Sequence, residues 1–211
     1  MSSKNAIVYV VDDDVSVCRA LALLLKTRGI KAETFTRAAR FLAFKHPKVP
    51  SCLVLDIRLP DINGFVLQEK MSQQGINIPI IFITGHGDVP KSVKAIRAGA
   101  IDFFLKPFTA AKLFDSIKLA LAESKAINKT QAEKERIWKN IRTLSPSELE
   151  VFRLVVNGML SKQIALRRGT ALQTIKVHRS RVMRKMQAKT VTELIRLAQK
   201  AGITSSNGRL L

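Results

Sequence analysis

Cysteine is scarce in this chain: only Cys18 and Cys52 occur among 211 residues. A disulfide-stapled secreted scaffold is therefore excluded, and two buried, reduced thiols in a cytoplasmic protein are expected. Aromatic residues are also few, at 6%, with one tryptophan and one tyrosine. No apolar run approaches the roughly 20 residues that a membrane span requires. The opening "MSSKNAIVYVVDDD" carries an apolar run that stops at three acids, too short and too acidic for a signal peptide. Acids are the third shortage: 16 against 36 basic residues, for a formal charge of +20. So basic a balance points to a polyanionic partner, either nucleic acid or an anionic membrane surface.

The shortage of acids is uneven. Up to Glu123 there are 17 basic and 11 acidic residues; from Ser124 onward there are 19 and 5. From Lys162 to Lys189 nine basic residues occur with no acid among them. Two domains with different tasks are the simplest account, and a 46% hydrophobic content suffices for a core in each.

The first part alternates strand and helix patterns. Short runs rich in branched residues are "AIVYVV" (6–11), "CLVLDI" (52–57) and "IPIIFITG" (78–85), with weaker ones at "KAETF" (31–35) and "AIDFFL" (100–105). Helical patterns lie between them, such as "VCRALALLLKTRG", closed by Gly29. Continuous apolar strands separated by helices imply a parallel sheet covered on both faces. Five such units in 120 or so residues suit a flavodoxin-like sheet of order 2-1-3-4-5, whose ligands bind at the carboxyl ends of the strands.

At those ends stand Asp12, Asp13 and Asp14 after the first strand, Asp56 after the third, Thr84 after the fourth, and Lys106 with Pro107 after the fifth. Clustered carboxylates raise one another's pKa unless a cation joins them, and oxygen ligands suit Mg²⁺. A carboxylate there can attack a phosphoryl group and form an acyl phosphate. Thr84 could hydrogen-bond a phosphoryl oxygen and Lys106 could pair with its charge.

At "VVDDD", "LVLDIRLPDINGF", "IIFITGHGDV" and "AGAIDFFLKPF" the chain resembles a response-regulator receiver domain. The resemblance implies that Asp56 is the phosphoacceptor, supplied by a partner histidine kinase. It implies that Asp12, Asp13, Asp56 and the backbone carbonyl of Arg58 hold Mg²⁺ or Mn²⁺. Thr84, Phe103 and Lys106 would form a switch, and the Lys106–Pro107 bond would be cis. The opening "VVDDDV" also fits dehalogenase-type phosphatases, with Asp12 as nucleophile. That reading needs a later acidic pair after another strand, and only Asp88 is at hand.

A helix is expected from Thr109, "TAAKLFDSIKLALAES", running into a charged, largely helical linker over 123–143. Ile127, Trp138 and Ile141 are too sparse there for a confident coiled coil, and Trp138 is expected to anchor the linker to one domain. "LSPSELEVF" is a helix start with Ser145 as N-cap, Pro146 at N1, Glu148 closing a capping box, and a Leu144–Leu149 staple. Ser161 is expected to cap a short second helix ending at Gly169. Thr190 with Glu193 starts the last helix. The third helix, within "TALQTIKVHRSRVMRKM", carries the densest positive charge. At 100° per residue, Ile175, His178, Val182 and Met186 form a packing stripe, with His178 as a hydrogen-bonded structural residue. The opposite face holds Gln173, Lys176, Val177, Ser180, Arg181 and Arg184. A valine among cations suits a thymine methyl in the major groove, and Lys176 suits guanine. Thr174, Arg179 and Lys185 complete the expected DNA contacts, the arginines and Lys185 at phosphates. A membrane-surface role is disfavoured, because the stripe is not free to insert.

From Leu144 onward, "LSPSELEVF", "GMLSKQIA" and "TIKVHRSRVMRKM" resemble the LuxR/NarL-type DNA-binding domain, an all-α, four-helix helix-turn-helix module. The whole chain thus looks like a NarL/FixJ-family transcriptional regulator, and "TGHGDVP" and "LKPF" place it near the FixJ-like branch. The resemblance implies a receiver over 1–122, the linker, a DNA-binding domain over 144–205 and a tail over 206–211. It also implies homodimerisation on phosphorylation, promoter DNA as partner, RNA polymerase as a further one, and a bacterial, nucleoid-associated location when active. The chain departs from the family in the turn. Arg168, Gly169, Thr170 and Ala171 stand where Leu, Gly, Ile and Ser are usual, so Thr170 is expected to take over as helix cap, or DNA binding to become weak and non-specific.

Overall fold

The computed structural model describes residues 6–85, 96 and 99–203. It falls into two compact units, Met1–Lys129 and Thr130–Leu211.

The first unit is built on a parallel sheet of order β2-β1-β3-β4-β5. Its strands are β1 (Ile7–Val11), β2 (Lys31–Phe35), β3 (Ser51–Asp56), β4 (Ile80–Thr84) and β5 (Asp102–Leu105). The three central strands are buried at every residue, which is why each reads as an unbroken apolar run. The edge strands β2 and β5 are only partly covered and read weakly for that reason.

Helices cover both faces. On one, Cys18, Leu21 and Leu25 of α1 (Val15–Thr27) and Leu113, Ile117 and Ala120 of α4 (Ala110–Ile141) meet Val8, Val10, Val54, Ile81 and Ile83. On the other, α2 (Ala38–Ala43) and α3 (Gly64–Gln73) meet Tyr9, Val11, Leu53, Leu55 and Phe82. Asp14 caps α1 by accepting from the Ser16 N–H at 2.7 Å. At its far end Gly29 turns the chain at φ +67°, and the Gly29 and Ile30 N–H groups return to the Lys26 and Leu25 carbonyls.

The second unit packs α5 (Pro146–Val156), α6 (Ser161–Arg168), α7 (Leu172–Met186) and α8 (Val191–Lys200) around one core. The division between the units falls inside α4, within the residues read as a linker. Ile137 and Ile141, assigned to the linker, are buried in the second core, and the Trp138 Nε1–H donates to the Ala201 carbonyl at 3.2 Å.

Capping explains most of the helix boundaries. Ser145 Oγ accepts from the Glu148 N–H at 3.3 Å and Glu148 Oε2 accepts from the Ser145 N–H at 2.9 Å. Two expected caps are corrected. Ser161 is the first helical residue of α6, and Leu160 is its N-cap; the Gln163 side chain supplies the bond back to the Leu160 N–H at 2.8 Å. Thr170 does not cap α7 either. Ala171 stands at that N-cap without a side-chain hydrogen bond, and Thr170 is occupied in closing α6, its N–H bonded to the Ala165 carbonyl beside Gly169 at φ +61°.

Candidate functional site: a carboxylate rim and a basic helix face

The parallel register brings four strand ends to one rim. Val11 stands opposite Leu55, Asp56 opposite Ile83, and Thr84 opposite Leu105. Each following side chain therefore emerges at the same level. Asp12 is fully buried, Asp56 and Thr84 nearly so, and Asp13 is exposed. Ligand oxygens of Asp12, Asp13 and Asp56 lie within 4.8 Å of one another. Into this cluster Lys106 extends its ammonium, donating to Asp12 Oδ2 at 2.6 Å and to Asp56 Oδ2 at 2.7 Å. The remaining oxygens are also engaged: Asp12 Oδ1 accepts from the Asp14 N–H at 3.0 Å and Asp56 Oδ1 from the Arg58 N–H at 2.9 Å.

Burial sets the electrostatics. Loss of solvent pushes the Asp12 carboxyl above its ordinary range, and the Lys106 hydrogen bond pulls it part of the way back. The Lys106 ammonium is itself disfavoured by burial, yet its two carboxylate partners hold its pKa above normal. Asp14 points outward, and the Ser16 N–H holds it below the usual carboxylate value. Three hard oxygen donors around one open rim are the donor set that Mg²⁺ takes.

Lys106 is placed by its own backbone, whose N–H donates to the Thr84 carbonyl at 2.7 Å. The Lys106–Pro107 peptide bond is cis. Phe103, expected in a switch, packs half-buried against the core of the α2–α3 face. Asp88 lies outside the described residues, as does the tail 206–211.

Two close neighbours of the rim escaped the sequence reading. The Cys18 thiol donates to the Asp12 carbonyl at 3.3 Å, and burial pushes its pKa up. Gly64 lies against the end of β3: a Cβ there would stand 2.8 Å from the Asp56 carbonyl oxygen. Gly64 in "INGF" was the available signal, because a glycine just after a helix cap, here Asn63, often marks a close backbone approach.

In the second unit α7 divides its side chains sharply. Ile175, Val182 and Met186 are buried in the core. Half-buried His178 lies on the same stripe, but its buried Nδ1 has no hydrogen-bond partner among the described residues, contrary to expectation. Gln173, Thr174, Lys176, Val177, Ser180, Arg181 and Arg184 are exposed, Val177 to 41%. The two other expected contacts differ. Arg179 donates to Ser161 Oγ at 3.0 Å, tying α7 to the start of α6. Lys185 donates to Glu148 Oε2 at 2.6 Å and to the Thr143 carbonyl at 2.8 Å. Both are half-buried and serve internal partners, because at 100° per residue Arg179 falls about 20° from Met186 and Lys185 about 20° from His178, on the two borders of the packing stripe. Arg168, which replaces an apolar residue of the family pattern, pairs with Glu150 at 3.0 Å.

Comparison with known proteins agrees with both halves. The response regulator receiver domain model matches residues 8–118, and the model of bacterial regulatory proteins, luxR family, matches 142–198. Nodulation protein W of Bradyrhizobium diazoefficiens is 40% identical over 206 residues, spanning 98% of this chain and 91% of that protein. Transcriptional regulatory protein FixJ of Rhizobium meliloti is 38% identical over 199 residues, spanning 94% and 98%. The solved structure of response regulator StyR superposes with a TM-score of 0.78 at 38% identity, covering 93% of this chain and 99% of that one. No phosphatase reading is needed beside these matches. A receiver fold with its rim of acids, joined to a helix-turn-helix of the luxR type, makes this chain a member of the response-regulator family of transcriptional regulators.

Proposed function

We propose that this regulator is switched by phosphorylation of Asp56. A partner histidine kinase would supply the phosphoryl group. The Asp56 carboxylate oxygen would attack phosphorus, and the bond from phosphorus to the donor imidazole nitrogen would break. The observation that carries this reading is the bridging of Asp12 and Asp56 by Lys106 beside Asp13: a buried acid already paired with one cation, next to an exposed carboxylate. Asp12, Asp13, Asp56 and the Arg58 carbonyl are suited to hold Mg²⁺ or Mn²⁺. Such an ion would offset the charge that gathers on the phosphoryl oxygens. Lys106 would move from its two carboxylates to pair with the new phosphoryl oxygen. Thr84 would donate to another, and Phe103 would follow into the space that Thr84 leaves.

The output would be promoter binding. Phosphorylation would favour a homodimer and present the exposed face of α7 to the major groove. Lys176 and Val177 would read bases, Gln173, Thr174 and Ser180 would contact bases or backbone, and Arg181 and Arg184 would hold phosphates. The protein would act on DNA in the bacterial cytoplasm, with RNA polymerase as its further partner. Operator binding measured with a small phosphodonor and Mg²⁺ tests the reading: the natural chain gains affinity, and Asp56→Asn gains none. An Asp56→Asn chain that gained equally would sink it.

A second reading has its own support in Ala171, which leaves the first turn of α7 without a side-chain cap. Under it the helix is poorly anchored and binds DNA without sequence preference. Operator and random DNA would then give the same affinity at every salt concentration, with one shared electrostatic slope.

A further inference from the structure

The segment between β3 and α3 carries the Arg58 carbonyl, and it is pinned at both ends. At its start the Ile57 N–H donates to the Ile83 carbonyl at 3.2 Å and the Arg58 N–H to Asp56 at 2.9 Å. At its end Asn63 caps α3 by accepting from the Phe65 N–H at 2.9 Å, and the Gly64 N–H returns to the Ile57 carbonyl at 2.9 Å. Between these pins stands Asp61, whose carboxylate reaches out of its own segment to α2. Oδ1 accepts from the Ala38 N–H at 3.3 Å and Oδ2 from the Ala39 N–H at 2.9 Å. Those are the first N–H groups of α2, and the residue that should cap that helix, Arg37, supplies no side-chain bond. Asp61 therefore does the work of an N-cap from 23 residues away. Desolvation disfavours its charge, but the Ala39 and Ala38 N–H groups, joined by those of Asp61 and Ile62, outweigh that and hold the carboxyl below its ordinary value.

A cap of this kind acts in both directions. It secures α2, and it fixes the middle of the segment that follows the phosphoacceptor. We propose that Asp61 is a positioning residue of the receiver site: its two bonds to α2 hold the segment carrying Arg58 in the conformation that lets the Arg58 carbonyl face a divalent cation. The inference rests on the reading of Asp56 as phosphoacceptor with Arg58 as a carbonyl ligand. It adds a residue that neither touches the ion nor lies at a strand end.

The test separates positioning from simple helix capping. In the full chain, Asp61→Ala removes both functions. Arg37→Ser added to it gives α2 a local cap but leaves the segment untied. Mg²⁺ affinity by titration calorimetry, the rate of phosphorylation by acetyl phosphate, and Tm are read for all three proteins. Asp61→Ala is expected to weaken Mg²⁺ binding and slow phosphorylation by roughly fivefold each, the scale of one lost cap, and to lower Tm. The double variant is expected to regain Tm while Mg²⁺ affinity and rate stay low. If the double variant regains all three, Asp61 is only a helix cap and the proposal fails. It fails equally if Asp61→Ala leaves affinity and rate unchanged. A natural chain that binds no Mg²⁺ and takes no phosphoryl group would overturn the Asp56 reading itself, and this proposal with it.

Discussion

The two units place their positive charge in opposite ways. In the first, the cation that matters is enclosed: Lys106 sits between two buried carboxylates at 2.6 and 2.7 Å. In the second, Lys176, Arg181 and Arg184 stand exposed on α7 and have no partner of opposite charge among the described residues. Enclosure strengthens each interaction in a medium of low polarity and makes it geometrically exacting, as group transfer requires. Exposure keeps charge available to a partner that is itself a line of charges, and makes the interaction sensitive to salt. Under the proposed function the same residue types would serve chemistry in one place and recognition in the other, with burial deciding which. The contrast also runs through α7 itself, where Arg179 and Lys185 are turned inward to Ser161 and Glu148.

The contrast can be broken most severely at Lys106. Replacing it with methionine leaves two neighbouring carboxylates without their cation, and is expected to cost about 3 kcal/mol of receiver stability in metal-free buffer. Denaturation by urea with a chelator present measures this, and added Mg²⁺ is expected to return more stability to the variant than to the natural chain. No loss would mean that the rim is not held together by the lysine.

The next test asks whether the inward-turned lysine of α7 is structural. Glu148 is buried, and its carboxyl is held below the ordinary value near 4.5, first by the Lys185 hydrogen bond and then by the Ser145 N–H. A depressed carboxyl contributes stability that is complete above its unfolded pKa and is lost as pH falls through the folded one. The second unit should therefore keep its stability from neutrality to near pH 4.5 and lose part of it below. Glu148→Gln is expected to cost about 2 kcal/mol at pH 7 and to flatten that acid limb. An unchanged acid limb would show that Lys185 and Glu148 contribute nothing as a pair.

Smaller again is the effect of restoring the cap that α7 lacks. Ala171→Ser is expected to stabilise the second unit by about 1 kcal/mol. Thermal unfolding with operator binding decides between the two readings of the DNA-binding domain. A stabler domain with unchanged operator preference means that the missing cap never limited recognition.

Last, single substitutions on α7 sharpen the inward–outward division. Arg184→Ala is expected to lower the slope of log affinity against log salt by about 1 and to weaken all sequences alike. Lys185→Ala, one residue on, is expected to leave the slope unchanged and lower Tm instead. Equal slopes for both variants would erase the distinction.

Much of the architecture could be read in advance, for identifiable reasons. Central strands buried on both faces must be apolar throughout, so "AIVYVV", "CLVLDI" and "IPIIFITG" stood out, and even the edge strand "KAETF" occupies the residues expected of it. Strand ends converge by topology alone, so the acids and Lys106 were legible as a group. What stayed hidden depends on reach rather than pattern. The helical wheel puts Lys185 at the edge of the packing stripe, beside His178, and the four methylenes that carry its ammonium to Glu148 leave no periodic trace. Trp138 and Ile141 are too sparsely spaced to stand out as core, since the α5–α8 residues around them complete that cluster. Asp61 and its two N–H partners are 22 and 23 residues apart, beyond any local capping rule.

One consequence concerns the two thiols. Cys52 lies in the centre of the sheet with its pKa pushed up to about 12, and Cys18 is shielded beneath Asp12 with its own raised. Alkylation and disulfide exchange proceed through the thiolate, and neither residue offers one at neutral pH. The folded protein therefore presents a chemically silent background. A single cysteine introduced on α7 or at the rim would take a maleimide dye alone, so movement at either end could be followed in the otherwise natural chain.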